Sequence, residues 1–185
     1  NVESQVRGRS FLHGPVAQKD CNGCHQSHGG EHFRLLTEEY PSEFYAPFDV
    51  QTYALCFGCH AETIVLTART TYLTDFRNGS LNLHYLHVNK PDQGRTCRAC
   101  HATHGSDQPK HIRESVPFGK WEIPLQFEMT ETGGSCRTGC HNPRAYDREV
   151  PVKYEPAGQP AEGNSAVEVN PADPPPTRLA PQREE

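Results

Sequence analysis

Cys21-Asn22-Gly23-Cys24-His25-Gln26-Ser27-His28 sets the reading frame for the whole chain. Two thiols three residues apart, followed at once by a histidine, suit one chemistry: the thiols add to the two vinyl groups of a haem while the imidazole reaches its iron. The motif recurs. Cys56-Phe57-Gly58-Cys59-His60 and Cys97-Arg98-Ala99-Cys100-His101 keep the spacing, and Cys136-Arg137-Thr138-Gly139-Cys140-His141 carries one extra residue between its cysteines. Four c-type haems, each with an iron, are expected. All eight cysteines are used, which leaves none for a disulfide, a zinc site or a redox thiol.

Composition agrees with a cofactor-rich interior. Only 34% of the 185 residues are hydrophobic, and 16 prolines and 15 glycines interrupt them. A peptide core would be thin, so the expected fold is mostly coil, with short helices at the haem sites, a few short strands and a haem stack as the core. The formal charge of −5 becomes more negative with haem propionates, which argues against a nucleic-acid partner. No stretch approaches the roughly 20 apolar residues that span a bilayer, so no membrane span is expected. The chain begins Asn1-Val2-Glu3-Ser4 without a leader pattern, and c-type haem is attached outside the bacterial cytoplasm. A processed, exported protein follows, extracellular or at the cell surface, with the periplasm as the alternative.

The chain reads as two pseudo-repeats of two haems each within a tetrahaem domain over residues 1–150. Cys-x-x-Cys-His-x-x-His-Gly occurs at Cys21 and again at Cys97; Phe11-Leu12-His13 matches Tyr85-Leu86-His87; Cys56 to His60 matches Cys136 to His141. The repeats cover about 11–60 and 85–141. Between the first two motifs, aromatic residues broken by Pro41 and Pro47 suggest extended chain around a ring. Residues 61–76 read equally as helix or strand, Asn78-Gly79 as a turn, and residues 83–87 as a short helix. Trp121 to Met129 alternates, with Pro124 limiting it to an edge strand. Asn78-Gly79-Ser80 fits a glycosylation sequon. Residues 151–185 form a proline-rich tail, expected to be extended and docked on its own or a neighbouring subunit; at the polyproline rise it spans roughly 90 Å.

Four of the eleven histidines, His25, His60, His101 and His141, are proximal by position. His13, His28, His32, His84, His87, His104 and His111 compete for four distal places. The surplus favours low-spin bis-histidine irons with no open position, which carry electrons and argue against an enzyme. His25 and His28, three apart on one short helix, point the same way and cannot grip one iron from both faces, so His28 must serve another haem, and His104 likewise. Repeat symmetry suggests His13 for the first haem, His28 for the second, His87 for the third and His104 for the fourth, with His84, His32 and His111 in reserve.

The run from His13 to His60 resembles the doubled CXXCH family of multihaem cytochromes, and residues 85–141 resemble it more loosely. Four haems in about 20 kDa and a long tail further resemble the extracellular tetrahaem cytochrome filaments, the OmcE-like nanowires of metal-reducing bacteria and their archaeal relatives. That resemblance implies a homopolymer with haems stacked across subunits, one distal histidine supplied by the next subunit, and electron delivery to other redox proteins or extracellular metal oxides. His13 on the N-terminal arm is then the candidate donated ligand. The alternative is a monomeric periplasmic shuttle between a quinol oxidase and a terminal reductase.

Overall fold

Prolines and glycines occur throughout the chain, so regular elements are cut short wherever they start. The computed structural model describes residues 2–154, and within them the chain up to Val152 forms one compact unit. Residues 155–185 lie outside the described residues, and the expectation of a docked tail falls there. The helices are single turns or little more: α1 (Glu3–Val6), α2 (Gly14–Ala17), α3 (Ala54–Phe57), α4 (Thr63–Leu66) and α5 (Leu83–Val88). Eleven strands of two to four residues occur among the described residues: β1 (Phe11–Leu12), β2 (Tyr45–Ala46), β3 (Arg77–Asn78), β4 (Leu81–Asn82), β5 (Gly94–Arg95), β6 (Gly105–Ser106), β7 (Ser115–Phe118), β8 (Trp121–Pro124), β9 (Phe127–Met129), β10 (Gly133–Cys136) and β11 (Arg144–Asp147). Coil with short helices and strands is what the composition predicts.

Two ladders join distant parts of the chain. β1 pairs antiparallel with β6, Phe11 against Ser106 and Leu12 against Gly105, and the ladder runs on through the His13 N–H to the His104 carbonyl. β2 pairs with β5. The remaining sheets are local: β3–β4 across the Gly79 turn, where φ is +57°, the β7–β8 hairpin, and β9–β10–β11. The expected strand over Trp121 to Met129 is divided. Pro124 ends β8, Gln126 turns with φ +39°, and β9 leaves for another sheet. Its alternation therefore buries neither end, since Trp121 is 72% and Met129 54% exposed.

The peptide core is small. Leu36, Tyr40, Tyr53, Val65 and Val88 form it, with Phe33, Phe48, Leu55 and Phe57 against them and Cys56 and Cys97 at its edge. Tyr53 stacks on Phe48 and meets Tyr40 edge-on, aromatic contacts that supply most of the apolar area. The ambiguous segment after His60 resolves into α4, whose Val65 enters this core.

Asn82 fastens α4 to α5. Its side-chain oxygen accepts from the N–H groups of His84 and Tyr85, capping α5, and its amide donates to the carbonyls of Ile64 and Thr67. The residue is fully buried. Asn78 is similarly committed: its amide donates to Val152 and its oxygen accepts from Asp147 and Val152, so the sequon nitrogen is engaged within the fold. Among the described residues no helix is long and apolar enough to cross a membrane. Removing the Asn82 clasp leaves four backbone groups short of a partner. Asn82→Ala should lower unfolding free energy by about 3 kcal/mol, measured by guanidinium titration. A loss under about 1 kcal/mol would show that α4 and α5 do not depend on it.

Candidate haem-ligand sites

Three of the four cysteine motifs share one local form. In each, the N–H of the histidine and of the second cysteine return to the first cysteine's carbonyl: His25 and Cys24 to Cys21, His60 and Cys59 to Cys56, His101 and Cys100 to Cys97, at 2.9–3.3 Å. Both thiols and the imidazole are thereby set on one tight turn. Asp20 adds a cap to the first, accepting from Gly23 N–H at 3.0 Å. The fourth motif differs because of its extra residue: Cys136 ends β10, paired with Arg144, and the Cys140 N–H is held by the Thr138 hydroxyl. None of the eight cysteines is joined in a disulfide.

The histidine of each of the first three motifs meets an imidazole from another part of the chain. His25 and His104 have ring centres 6.2 Å apart and planes 21° from parallel; His60 and His13 are at 6.0 Å and 13°; His101 and His84 are at 6.3 Å and 17°. Rings so far apart are beyond face-to-face contact. Two imidazoles that hold one metal end to end through Nε2, at the ordinary metal–imidazole distance of about 2 Å, have ring centres about 6 Å apart, so these separations are compatible with such a metal. His141 has His87 as its nearby histidine, on the same turn of α5 as His84.

The hydrogen bonds show which nitrogen carries the proton. The Nδ1–H groups of His25, His101 and His87 donate to the carbonyls of Arg34, Lys110 and Leu83 at 3.1, 2.9 and 2.7 Å, and that of His141 to Asn142 at 2.6 Å. A carbonyl can only accept, so each ring carries its proton on Nδ1 and presents a bare Nε2. His104 Nδ1 meets the Gln5 amide oxygen at 2.8 Å, and His84 Nδ1 meets the Thr74 hydroxyl at 3.0 Å. This is the tautomer an iron needs, and the residues present fit axial ligation of a haem.

Electrostatics favours the same neutral form. Burial pulls the His84 imidazole down to about 3, helped by His101 and His87. His87 falls to about 4 through burial, against the opposing pull of the Leu83 carbonyl. Burial also lowers His13, His101 and His104, with His111 and His60 adding to the fall at His13. The thiols mark how the motifs adjoin. Burial raises Cys24, with Cys59 next to it; Cys56 is raised by its hydrogen bond to Cys97, which is lowered by the same bond; burial pushes Cys100 up to about 11, with Cys136 and Cys140 nearby. Neighbouring motifs thus follow one another in chain order.

Several sequence expectations meet a different arrangement. His13 lies against His60 of the second motif, where repeat symmetry puts it with the first; His104 lies against His25, where symmetry puts it with the fourth; His87 is near His141, where symmetry puts it with the third. The reserve residue His84 takes the place at His101. His28 is exposed and enters none of these pairs. It occupies the same motif position as His104, but Gly29 (φ +135°) and Gly30 follow it, whereas His104 continues into β6 and is held by the ladder to β1. His32 pairs at the surface with Glu39 at 3.1 Å. His111 touches His13 edge-on at 5.8 Å with its Nδ1 buried and unpartnered. The signal for these pairs lies in the long-range ladder and in α5, which no local spacing encodes.

The sequence model of one family, the doubled CXXCH motif, matches residues 13–64. The match supports a multihaem c-type cytochrome, a haem-binding electron carrier. No curated protein and no solved structure matches the chain.

A pH dependence follows. Folding keeps His84 and His87 neutral to about 3 and 4, while an unfolded chain protonates them near 6.5. Their contribution is complete above 6.5 and is lost as pH falls towards those folded values, up to about 4 kcal/mol in all after solvent screening. Unfolding midpoints in guanidinium at pH 7, 5 and 4 should fall in that order; a midpoint constant from pH 7 to 4 would contradict the burial of α5.

Proposed function

We propose that the chain carries four c-type haems, each with two axial histidines, and moves electrons from one end of the haem array to the other without bond-making chemistry of its own. The carrying observation is the set of near-parallel imidazole pairs at 6.0–6.3 Å, with the Nδ1 protons of His25, His101 and His104 already committed to oxygen acceptors. The axial pairs are His25 with His104, His60 with His13, His101 with His84, and His141 with His87. The eight cysteines, Cys21, Cys24, Cys56, Cys59, Cys97, Cys100, Cys136 and Cys140, are the thioether tethers. Bound haem supplies a ferric/ferrous couple, and two neutral imidazoles set it lower than a His/Met site would.

The chain's own residues do the rest. His101 and His104, three apart, belong to different irons, as do His84 and His87 on one turn of α5, and each such pair holds two sites close together. The His13 and His104 backbones are bonded across the β1–β6 ladder, which ties the first and second sites. The guanidinium groups of Arg34 and Arg98 both lie over the Phe33 ring, at 5.0 and 5.6 Å from its centre, close to the first site, where their charge suits haem carboxylates. With both axial positions filled, no iron is open to a substrate, which favours a carrier over a reductase.

At the next level we place the protein as the subunit of an extracellular cytochrome polymer; what supports this is the sequence resemblance alone, four haem motifs in about 20 kDa, no fifth motif and a long tail. His13 is not needed as a donated ligand there, since its ring meets His60 of the same chain. The alternative remains the periplasmic shuttle. Pyridine haemochrome assay with intact mass should give four haems per chain and a purely low-spin spectrum. His84→Ala should create one high-spin iron, while His28→Ala should create none. A high-spin signal in His28→Ala, with none in His84→Ala, would reverse the assignment. Negative-stain microscopy of loaded protein then separates filaments from small particles.

A further inference from the structure

The first and third motifs are followed by the same unusual turn. Nine residues after His25 come Arg34 and Leu35 with φ +55° and +57°; nine residues after His101 come Lys110 and His111, both with φ +56°. Two successive non-glycine residues in the left-handed region are strained, and here the strain occurs twice at equivalent places. The surrounding bonds match one for one. Gln26 N–H donates to the Leu35 carbonyl and Ala102 N–H to that of His111, both at 2.8 Å; Thr37 N–H donates to Cys24 and Arg113 N–H to Cys100, at 3.0 and 2.9 Å. His25 bridges to Leu36 and His101 to Ile112. The outcome in each case is one carbonyl, of Arg34 or Lys110, aimed at the Nδ1–H of the proximal imidazole.

We infer that these two left-handed pairs are latches: Arg34-Leu35 and Lys110-His111 are positioning residues that orient His25 and His101 and make them stronger donors to iron. A carbonyl accepting from Nδ1–H gives the ring partial imidazolate character, which favours the ferric state and lowers the potential. No carbonyl partner of this kind is made by His60 among the described residues, and His141 uses the residue directly after it. The latches therefore bias the first and third irons downward relative to the second. They also explain His111, whose backbone is required in the latch while its ring is not required on an iron. The inference rests on the haem assignment above.

The test uses fully loaded protein and swaps latch residues by backbone preference. Leu35→Val and His111→Val place a β-branched residue where φ must be positive; Leu35→Gly and His111→Gly keep that conformation at no steric cost. Haem count and low-spin spectrum come first: fewer than four haems or a high-spin iron in the unaltered protein would overturn the haem assignment itself. With that in place, spectroelectrochemical titration of each valine variant should show one of four one-electron steps moved upward, by up to about 59 mV for a tenfold fall in the ferric share at fixed potential. The shift should come with a displaced Nδ1–H proton resonance of one proximal histidine, and both glycine variants should keep all four steps in place. Four unchanged potentials in both valine variants would overturn the latch. A high-spin iron in His111→Gly would overturn it too, by making His111 a ligand. Should a valine variant fail to load, Leu35→Ala and His111→Ala, which disfavour positive φ less severely, carry the same titration, and four unchanged potentials in both would overturn the latch.

Discussion

A neutral imidazole has one proton and one lone pair, and the whole arrangement depends on which nitrogen holds which. Around His25, His87, His101 and His141 a backbone carbonyl fixes the proton on Nδ1, and burial keeps the rings neutral at His84, His87 and His101. Nε2 is then left without a proton, and His25 and His101 each stand about 6 Å, centre to centre, from a second imidazole. Each of these features is ordinary alone, but a buried histidine facing another across 6 Å is costly without something between them. The peptide surrenders core volume to hold them so: its apolar cluster has five buried residues, one of them, Tyr53, with a hydroxyl that finds no partner.

What brings the rings together is interleaving. The first motif's partner comes from His104, far along the chain, because β1 and β6 pair and carry His13 and His104 in on adjacent strands. The N-terminal arm is fastened there by more than the ladder. Gln5 accepts from His104, and Asp107 takes bonds from the Ser10 N–H and hydroxyl and from Arg9. These exposed contacts are each worth little in water, yet together they decide where two imidazoles stand. α5 does the same for the other end with one turn of helix, provided Asn82 holds its start.

Covalent chemistry was legible in the sequence and geometry was not. The four motifs point to haem attachment because thiol addition and ligation require those residue types at that spacing, and in the fourth, which is one residue longer, Cys136 ends a strand while Cys140 and His141 follow it. The approach of one histidine to another follows from long-range pairing instead: the repeat argument singled out His13, His87 and His104, but the fold sets them beside His60, His141 and His25, and it brings His84, not His28, to a motif histidine. Cys21–His28 and Cys97–His104 have the same residue spacing, but Gly29 and Gly30 after one, and β6 after the other, leave His28 exposed and set His104 beside His25. The left-handed pairs are invisible for another reason. Phe33-Arg34-Leu35-Leu36 and Pro109-Lys110-His111-Ile112 contain no glycine or asparagine, the residues that announce positive φ, so only the backbone bonds around them reveal the turn.

Folding and iron ligation place the same demand on these side chains. Burial asks that the imidazoles be neutral, and an iron asks for an unprotonated Nε2, so one proton arriving from solvent opposes both. The two processes are coupled through shared groups and not through added contacts. That coupling accounts for how a chain with a mean hydropathy of −0.77 and elements of two to six residues can hold left-handed strain at two sites, costing about 1–2 kcal/mol per residue: the bonds that impose the strain are the ones that orient ligands. Strain of that kind persists where the energy returned on ligation exceeds it, and it is found beside two proximal histidines.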